Sequence, residues 1–457
     1  MSPHATAWVH GQGQTDERRS LLALPNGKKL GLPYYDAFGN PNLSKNDPMR
    51  LFDSELFLHE SSQANLPAID QYQYDAMILA GSFDITKRQM ATNKSGQAQG
   101  ALIRPASAAW ILPAFSGIYA GLVCIFSFAE YLATKHGIAT TFYILKAAPD
   151  ASEEHAQVAA MFPTLKSAKF VAMTPVQDDR IAAHDLGFAT QWATTYPLAK
   201  AKQVKRKCYF IQDNEANFYP KGSISALVEL GYRFGFYAVA GTEGLLDMYE
   251  REYAGKGVVL KSKVDLSVYH PRNDLHYVPK KPYKVFFYAR PNMPRNAFEL
   301  GVAGLKLLKQ SLGDDVEVIT AGAEWSASSY GVQGMFTNLG KIAYEAVPKL
   351  YRSVDAGLMF MFSGHPGVTA SELMASGCPV VVNEYDDRSW HELYQHEKTC
   401  LITLASASEV SRNVMRCLTD IELRHTLIGE GIKKAETYYS GYEESLETAY
   451  RSLCGDL

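Results

Sequence analysis

Cysteine is scarce in this sequence, and no two cysteines form a C-x-x-C pair. The 457 residues contain six cysteines, which are Cys124, Cys208, Cys378, Cys400, Cys417 and Cys454. Secreted disulfide frameworks and zinc sites both need cysteines at short, regular spacings. The scattered positions therefore predict reduced thiols in a cytoplasmic protein, with neither a disulfide framework nor a cysteine zinc site.

An excess of charge of either sign is also absent. Lys and Arg together number 45, Asp and Glu number 48, and the formal net charge is -3. No global positive field would attract the chain to nucleic acid or to an acidic membrane. The N-terminus begins Met-Ser-Pro-His and continues with polar residues, which is not the pattern of a secretory signal. We therefore expect a cytoplasmic protein without a nucleic-acid partner.

A long unbroken apolar run is missing as well. No charged residue lies between Arg104 and Glu130, and a membrane-spanning helix needs about 20 apolar positions. Pro113, Gly117 and Gly121 interrupt this segment, however. The segment therefore predicts a strand, a glycine-bearing turn and a helix rather than a membrane span.

Two ligand-binding motifs are not found. Gly117 and Gly121 do not have the G-x-G-x-x-G spacing of a dinucleotide fold, and on spacing alone they indicate an ordinary tight turn. No Asp-x-Asp metal motif occurs next to a predicted strand. These absences argue against a dinucleotide enzyme and predict a site without a metal ion.

What the sequence does contain is a regular alternation of apolar strands and helices from Ala108 onward. This alternation predicts parallel sheets covered by helices, the α/β class. A polar stretch rich in proline at 270–282 predicts an interdomain linker. The predicted organisation is an N-terminal extension at 1–103, a first Rossmann-like domain at 104–281, a second at 282–438, and a final helix at 439–457.

The stretch 356–384 is the most informative about function. An apolar run at 356–362 predicts a buried strand, 369–376 a helix, and 380–382 the next strand. The free N–H groups and the positive dipole end of such a helix favour a phosphate beyond the strand tip. Glu372 allows two interpretations. It could complete a capping box with Thr369, or it could accept hydrogen bonds from the hydroxyls of a ribose.

Four charged residues follow predicted strands, where open α/β sheets place their ligand sites. Asp213 and Glu215 follow the strand 208–211 and are candidates for contacts to acceptor or sugar hydroxyls, or else they form a turn. Arg290 ends the strand 283–289, and Arg295 precedes a predicted helix. Two cations at a helix start are unfavourable without an anion. Their planar, permanently charged groups therefore indicate a phosphate-binding role.

Three segments resemble family 4 glycosyltransferases, and within that family the bacterial rhamnosyltransferases that form rhamnan chains. They are SGHPGVTASELMASGCPVV at 363–381, YARPNMPRNAFELG at 288–301 and CYFIQDNEANFYP at 208–220. The resemblance covers roughly residue 105 to the C-terminus. It implies a GT-B fold, in which two Rossmann-like domains face a cleft and a C-terminal helix crosses back to the first domain.

The resemblance also implies residue roles. Arg290 and Arg295 would grip the donor diphosphate without a metal, and Glu372 would bind the ribose. Other implied donor contacts are Gly117, Leu339, Gly340, Lys341, His365, Gly367, Val368 and Thr369. One position departs from the family pattern, because many members carry a second glutamate where this chain has Gly364. The sugar is therefore less well specified than the nucleotide.

The expected activity is retaining transfer of rhamnose from dTDP-β-L-rhamnose to a polysaccharide or glycolipid glycan. Two alternatives remain open at this point: the same fold with a UDP- or GDP-sugar, and a non-catalytic glycan-binding assembly subunit. The basic run 200–207 is expected to be a solvated loop. Its alternative role is contact with a lipid-linked acceptor or with anionic head groups at the cytoplasmic face of the inner membrane.

Overall fold

The computed structural model describes residues 104–146, 150–173, 178–291 and 293–455, and the short pieces 20–23, 29–32, 87–88 and 90–91. Two strands in the short pieces, β1 (Ser20–Ala23) and β2 (Lys29–Leu32), pair antiparallel. The rest of the predicted extension 1–103 lies outside the described residues.

Seven parallel strands form the N-terminal sheet. They are β3 (Ser107–Pro113), β4 (Ala139–Leu145), β5 (Lys169–Met173), β6 (His184–Ala189), β7 (Val204–Ile211), β8 (Tyr237–Ala240) and β9 (Lys256–Val259). Their order is β5-β4-β3-β6-β7-β8-β9. The direction of winding reverses between β3 and β6, which opens a crevice at the carboxyl ends of the strands. Successive side chains of β3 pack into two different hydrophobic cores, since Ile111 belongs to one core and Trp110 belongs to the other. This apolar strand is therefore buried on both faces.

Six parallel strands form the C-terminal sheet. They are β10 (Tyr283–Ala289), β11 (Val316–Gly322), β12 (Phe336–Asn338), β13 (Ala356–Met359), β14 (Val380–Asn383) and β15 (Leu401–Thr403). Their order is β12-β11-β10-β13-β14-β15, which again reverses next to the first strand of the domain. Phe286 and Phe287 of β10 likewise enter different cores.

Helices connect the strands and cover the sheets. The N-terminal sheet carries α1 (Ala120–His136), α2 (Ser152–Met161), α3 (Trp192–Lys200), α4 (Ser223–Tyr232) and α5 (Glu243–Tyr253). The C-terminal sheet carries α6 (Phe298–Leu312), α7 (Val347–Ser353), α8 (Val368–Ala375), α9 (Arg388–Leu393), α10 (Ala407–Thr419) and α11 (Ile421–Tyr439), and α12 (Tyr442–Cys454) comes last. The predicted α/β architecture with two Rossmann-like domains is confirmed.

The chain passes between the two domains twice. Leu260 packs in a core of the N-terminal domain, whereas Val264 packs in a core of the C-terminal domain. The first passage therefore lies at 260–264, earlier than the predicted linker at 270–282. The second passage follows α11, because Tyr439 packs in the C-terminal domain and Leu446 of α12 packs in the N-terminal domain. The predicted crossover helix is present.

The basic run 200–207 is not the predicted solvated loop. Its second half begins strand β7, where Lys207 is buried and donates to the carbonyl oxygen of Ala199 at 2.8 Å. Arg206 donates to the carbonyl oxygen of Leu453 on the crossover helix. None of the helices in the described ranges is long and apolar enough to cross a membrane.

Candidate active site between the two domains

The predicted site residues of the two domains meet where the carboxyl ends of the two sheets approach each other. Asp213 follows the end of β7, and Arg290 follows the end of β10. Ser363 lies in the loop between β13 and α8. Hydrogen bonds and an ion pair join these loops directly, so the segments predicted separately from sequence form one site.

Arg295 is the buried cation at the centre of this site. Only 9% of the residue is exposed, and its guanidinium lies 4.0 Å from the centre of the Phe218 ring of the other domain. Its Nε forms an ion pair with Oδ2 of Asp213 at 3.2 Å, and both Nε and Nη1 are buried without a hydrogen-bond partner of good geometry. Burial lowers the pKa of Arg295, Asp213 opposes that shift, and the nearby charge of Arg290 adds to it. A buried donor without a partner, next to a second cation, suits an anionic ligand.

Asp213 is fixed by groups from both domains. Its Oδ1 accepts a hydrogen bond from the hydroxyl of Ser363 and one from the backbone N–H of Asn214, the latter at 2.8 Å. Burial raises the pKa of Asp213 to about 6, and Arg295 opposes this rise. The carboxylate is thus held in the cleft by the C-terminal domain as well as by its own strand tip.

The loop before α8 fixes the tautomer of His365. Nδ1 of His365 accepts from the N–H of Gly367 at 2.9 Å, which leaves the proton on Nε2, 3.4 Å from the hydroxyl oxygen of Ser262. Burial, and then the charge of Arg295, lower the pKa of His365 to about 4. The imidazole is therefore neutral at physiological pH, and it contacts the first interdomain passage.

Gly367 is the N-cap of α8 and has φ 76°. A Cβ there would lie 2.1 Å from Cε of Met359, so Gly367→Ala adds both backbone strain and a clash. We expect this substitution to lower the free energy of unfolding by about 1 to 3 kcal/mol, measured by urea denaturation. Gly364→Ala is the matched control. Its Cβ would meet ordinary contacts at 3.4 and 3.6 Å, so an equal loss in both variants would contradict the argument.

Glu372 lies on α8 and is 6% exposed. Burial raises its pKa to about 7, and the Tyr269 hydroxyl opposes this rise. That hydroxyl is itself buried without a hydrogen-bond partner of good geometry. The pKa values of Tyr269, Tyr344 and Tyr351 are raised mainly by burial, and the negative charge of Glu372 is the second largest cause. The carboxylate therefore lies in a tyrosine-lined environment with hydrogen-bonding capacity unused.

The capping-box interpretation of Glu372 is wrong. Helix α8 begins at Val368 with Gly367 as N-cap, so Thr369 is inside the helix, and no side chain caps the N-terminus. The glycine N-cap leaves the first N–H groups of the helix without a capping side chain. The helix thus starts at Val368, one residue before the predicted start at Thr369, and the binding of an anion there stays a prediction.

The segment Leu339, Gly340 and Lys341 follows β12 at the edge of the C-terminal sheet. Gly340 has φ 63°, and its carbonyl oxygen accepts from the N–H of Gly322 at 2.9 Å. Leu339 is 43% exposed and Lys341 is exposed. The backbone here is fixed in a turn, while its side chains remain accessible to a ligand.

Glu215 does not lie where the sequence placed it. Its two carboxylate oxygens accept from the N–H of Trp192 and from the hydroxyl of Tyr209, both at 2.9 Å. Burial raises its pKa to about 8. Because one oxygen holds the start of α3 and the other accepts from Tyr209 of β7, this placement argues against a contact with substrate hydroxyls.

Gly117 has φ 85°, and its N–H donates to Oε1 of Gln157 at 2.7 Å. A Cβ there would meet no atom within 4 Å. The glycine is needed for its backbone conformation, as the tight-turn interpretation holds, and the structure shows no close approach at this position.

Sequence reasoning missed several residues that join the domains. The N–H of Gly244 in the N-terminal domain donates to the hydroxyl of Ser389 in the C-terminal domain at 2.8 Å. Phe218 covers Arg295, as described above. The presence of Phe218 in the motif at 208–220 was a sequence signal for such a contact.

Comparisons with known proteins agree with this architecture. Residues 283–415 match the family model described as WsaF, C-terminal domain. The chain is 36% identical over 354 residues to the O-antigen biosynthesis protein RfbC of Myxococcus xanthus, a match that covers 76% of this chain and 27% of that protein. The chain thus spans about a quarter of the length of this curated relative.

Solved structures show the fold. The crystal structure of Anabaena Alr3699/HepE in complex with UDP-glucose has a TM-score of 0.58 at 14% identity, covering 75% of this chain and 98% of that chain. Sucrose-phosphate synthase from Thermosynechococcus elongatus has a TM-score of 0.56 at 13% identity, covering 77% of this chain and 100% of that chain. With its two facing parallel sheets and its C-terminal crossover helix, this chain has the GT-B fold of glycosyltransferases.

Proposed function

We propose that this chain is a glycosyltransferase that moves a sugar from a nucleotide donor to a glycan acceptor during synthesis of a surface polysaccharide. The buried guanidinium of Arg295, with Nη1 unpartnered and Arg290 close by, carries this proposal. A donor diphosphate would pair with these two arginines, and they would stabilise the charge that develops on it as the sugar leaves. The similarity to an O-antigen biosynthesis protein supports the choice of acceptor.

The remaining donor contacts are proposed on the resemblance of the motifs and on the position of these residues in the C-terminal domain. Glu372 would accept hydrogen bonds from ribose hydroxyls, the N-terminus of α8 would face the phosphates, and the backbone at 339–341 would lie against the base. The arginine pair would take the place of a metal ion. We further propose dTDP-β-L-rhamnose as the donor and retention of the anomeric configuration, on the resemblance of the motifs to rhamnan-forming enzymes. The acceptor would be a polysaccharide or a lipid-linked glycan, reached in the cytoplasm at the inner membrane.

The first test is thermal unfolding of the purified chain with dTDP, UDP and GDP. A ligand at 100 times its dissociation constant stabilises by about 2.7 kcal/mol, so we expect a clear rise in Tm with dTDP that Arg290→Ala abolishes. A rise in Tm with UDP or GDP alone would indicate that the donor is a sugar linked to that nucleotide instead. If the folded protein binds none of the three, a non-catalytic glycan-binding subunit becomes the better hypothesis.

A further inference from the structure

The carboxylate of Asp213 lies against the guanidinium of Arg295, the residue to which the proposed function assigns the donor diphosphate. Its Oδ2 is 3.2 Å from Nε of Arg295, and the two side chains are 11% and 8% exposed. They belong to different domains and are 82 positions apart in the chain. The hydroxyl of Ser363, which is in the same domain as Arg295, donates to Oδ1 of Asp213. Both oxygens of the carboxylate are therefore held by the C-terminal domain.

The other groups around Arg295 do not neutralise it. Phe218 covers one face of the guanidinium, His365 is neutral because its pKa is lowered to about 4, and Arg290 adds a second positive charge. Glu215 also acts on the pKa of Arg295, but more weakly than Asp213 does, and both of its oxygens are occupied by Trp192 and Tyr209. Asp213 is therefore the principal counter-charge of Arg295 within the described part of the chain.

We infer that Asp213 is an internal stand-in for the donor phosphate: it neutralises Arg295 while the cleft lacks nucleotide, and it lowers the affinity for nucleoside diphosphate by charge repulsion. This inference rests on the proposed diphosphate site at Arg290 and Arg295. After transfer, the returning carboxylate would help the nucleoside diphosphate to leave.

Two effects of Asp213 on nucleotide affinity oppose each other. The carboxylate contacts Nε of Arg295 as an ion pair at 3.2 Å without a hydrogen bond of good geometry, so losing its orienting effect should cost no more than roughly two- to tenfold in affinity. It also repels the diphosphate. Like charges about 6 Å apart at an effective dielectric of about 20 change affinity by roughly a hundredfold. Repulsion exceeds orientation, so removing the charge should tighten binding.

Asp213→Asn tests this inference because the amide keeps the shape of the side chain and loses its charge. We expect the dissociation constant of dTDP, measured by calorimetry at pH 7.5, to fall at least tenfold, while that of thymidine changes less than twofold. UDP and uridine replace this pair if the wild type selects UDP. Inhibition of turnover by the same nucleoside diphosphate should strengthen in parallel.

Asp185→Asn is the matched control, since Asp185 pairs with Lys205 at 2.8 Å on strand β6, away from the described site. It should leave both dissociation constants unchanged. Ser363→Ala is the second variant, in case the asparagine variant does not fold. Because it frees Asp213 from one hydrogen bond, dTDP should displace the carboxylate more easily and bind a few-fold more tightly.

Weaker or unchanged dTDP binding in a folded Asp213→Asn protein, or weaker binding in Ser363→Ala, would overturn the inference and leave Asp213 as a positioning residue or a sugar contact. Absence of nucleotide binding by the wild type would instead refute the proposed function. The two failures are therefore distinguishable.

Discussion

Replacing Arg295 by alanine is expected to reduce sugar transfer by roughly a hundred- to a thousandfold, the usual effect of deleting one donor that stabilises charge in a transition state. The expectation follows from its buried guanidinium and its unpartnered Nη1. Turnover of the nucleotide sugar by the purified variant gives the measurement. Arg295→Lys keeps a charge but loses the planar fork and its stacking on Phe218, so we expect an intermediate loss.

Two controls separate this effect from misfolding. Arg233→Ala removes an exposed arginine of the N-terminal domain that pairs with Glu229, and it should leave turnover unchanged. Arg295→Ala leaves the Asp213 carboxylate buried without its cation, which is destabilising by itself. The double variant with Asp213→Asn removes that penalty. Full turnover in a folded Arg295→Ala protein would exclude the proposed diphosphate grip.

Replacing Glu372 by glutamine is expected to weaken nucleotide binding by roughly ten- to a hundredfold, the cost of losing hydrogen bonds to a charged acceptor. Without ligand at pH 8 the variant should be at least as stable as the wild type, because ionising this buried carboxyl group destabilises the folded wild type. Glu345→Gln, at an exposed glutamate of the same domain, should leave the dissociation constant unchanged.

The pH dependence of nucleotide affinity gives an independent measure of Glu372. Its pKa is raised to about 7, so lowering the pH from 8 to 6.5 protonates the acceptor and should weaken binding in the wild type. Titration of Asp213, whose pKa is about 6, acts in the opposite direction and is common to both proteins. The difference between wild type and Glu372→Gln should therefore shrink as the pH falls. A constant difference would contradict the ribose role.

The strands were predictable from sequence because uninterrupted apolar runs fix them. The runs at 283–289 and 380–382 became β10 and β14 with small changes at their ends. Helix α3 was not predicted. It contains Thr194, Thr195 and an internal Pro197, and its start is held by Gln191 and by the carboxylate of Glu215, which is distant in sequence. The composition of 223–237 predicts one helix over the whole range, but α4 ends at Tyr232, and Gly235 then has φ 76°.

The candidate site was predictable as a set of segments but not as a set of contacts. The resemblance of the motifs identified Arg295 and Glu372 as candidate site residues, and the position of Asp213 at a strand end identified it as another. The ion pair between Asp213 and Arg295 depends on how two domains dock, which spacing along one chain does not encode. The same holds for Glu215, since an acidic residue at a strand tip has the same local pattern whether it faces a ligand or a helix start.

The two passages between the domains lie side by side. The Lys261 side chain of the first passage reaches Gly441 of the second, where an added Cβ would be 3.4 Å from Nζ, and Nζ lies 5.7 Å from the centre of the Tyr438 ring. Two covalent connections at one place restrict the relative movement of the two domains. They would permit a hinge rotation of one domain relative to the other, and they resist sliding and full separation.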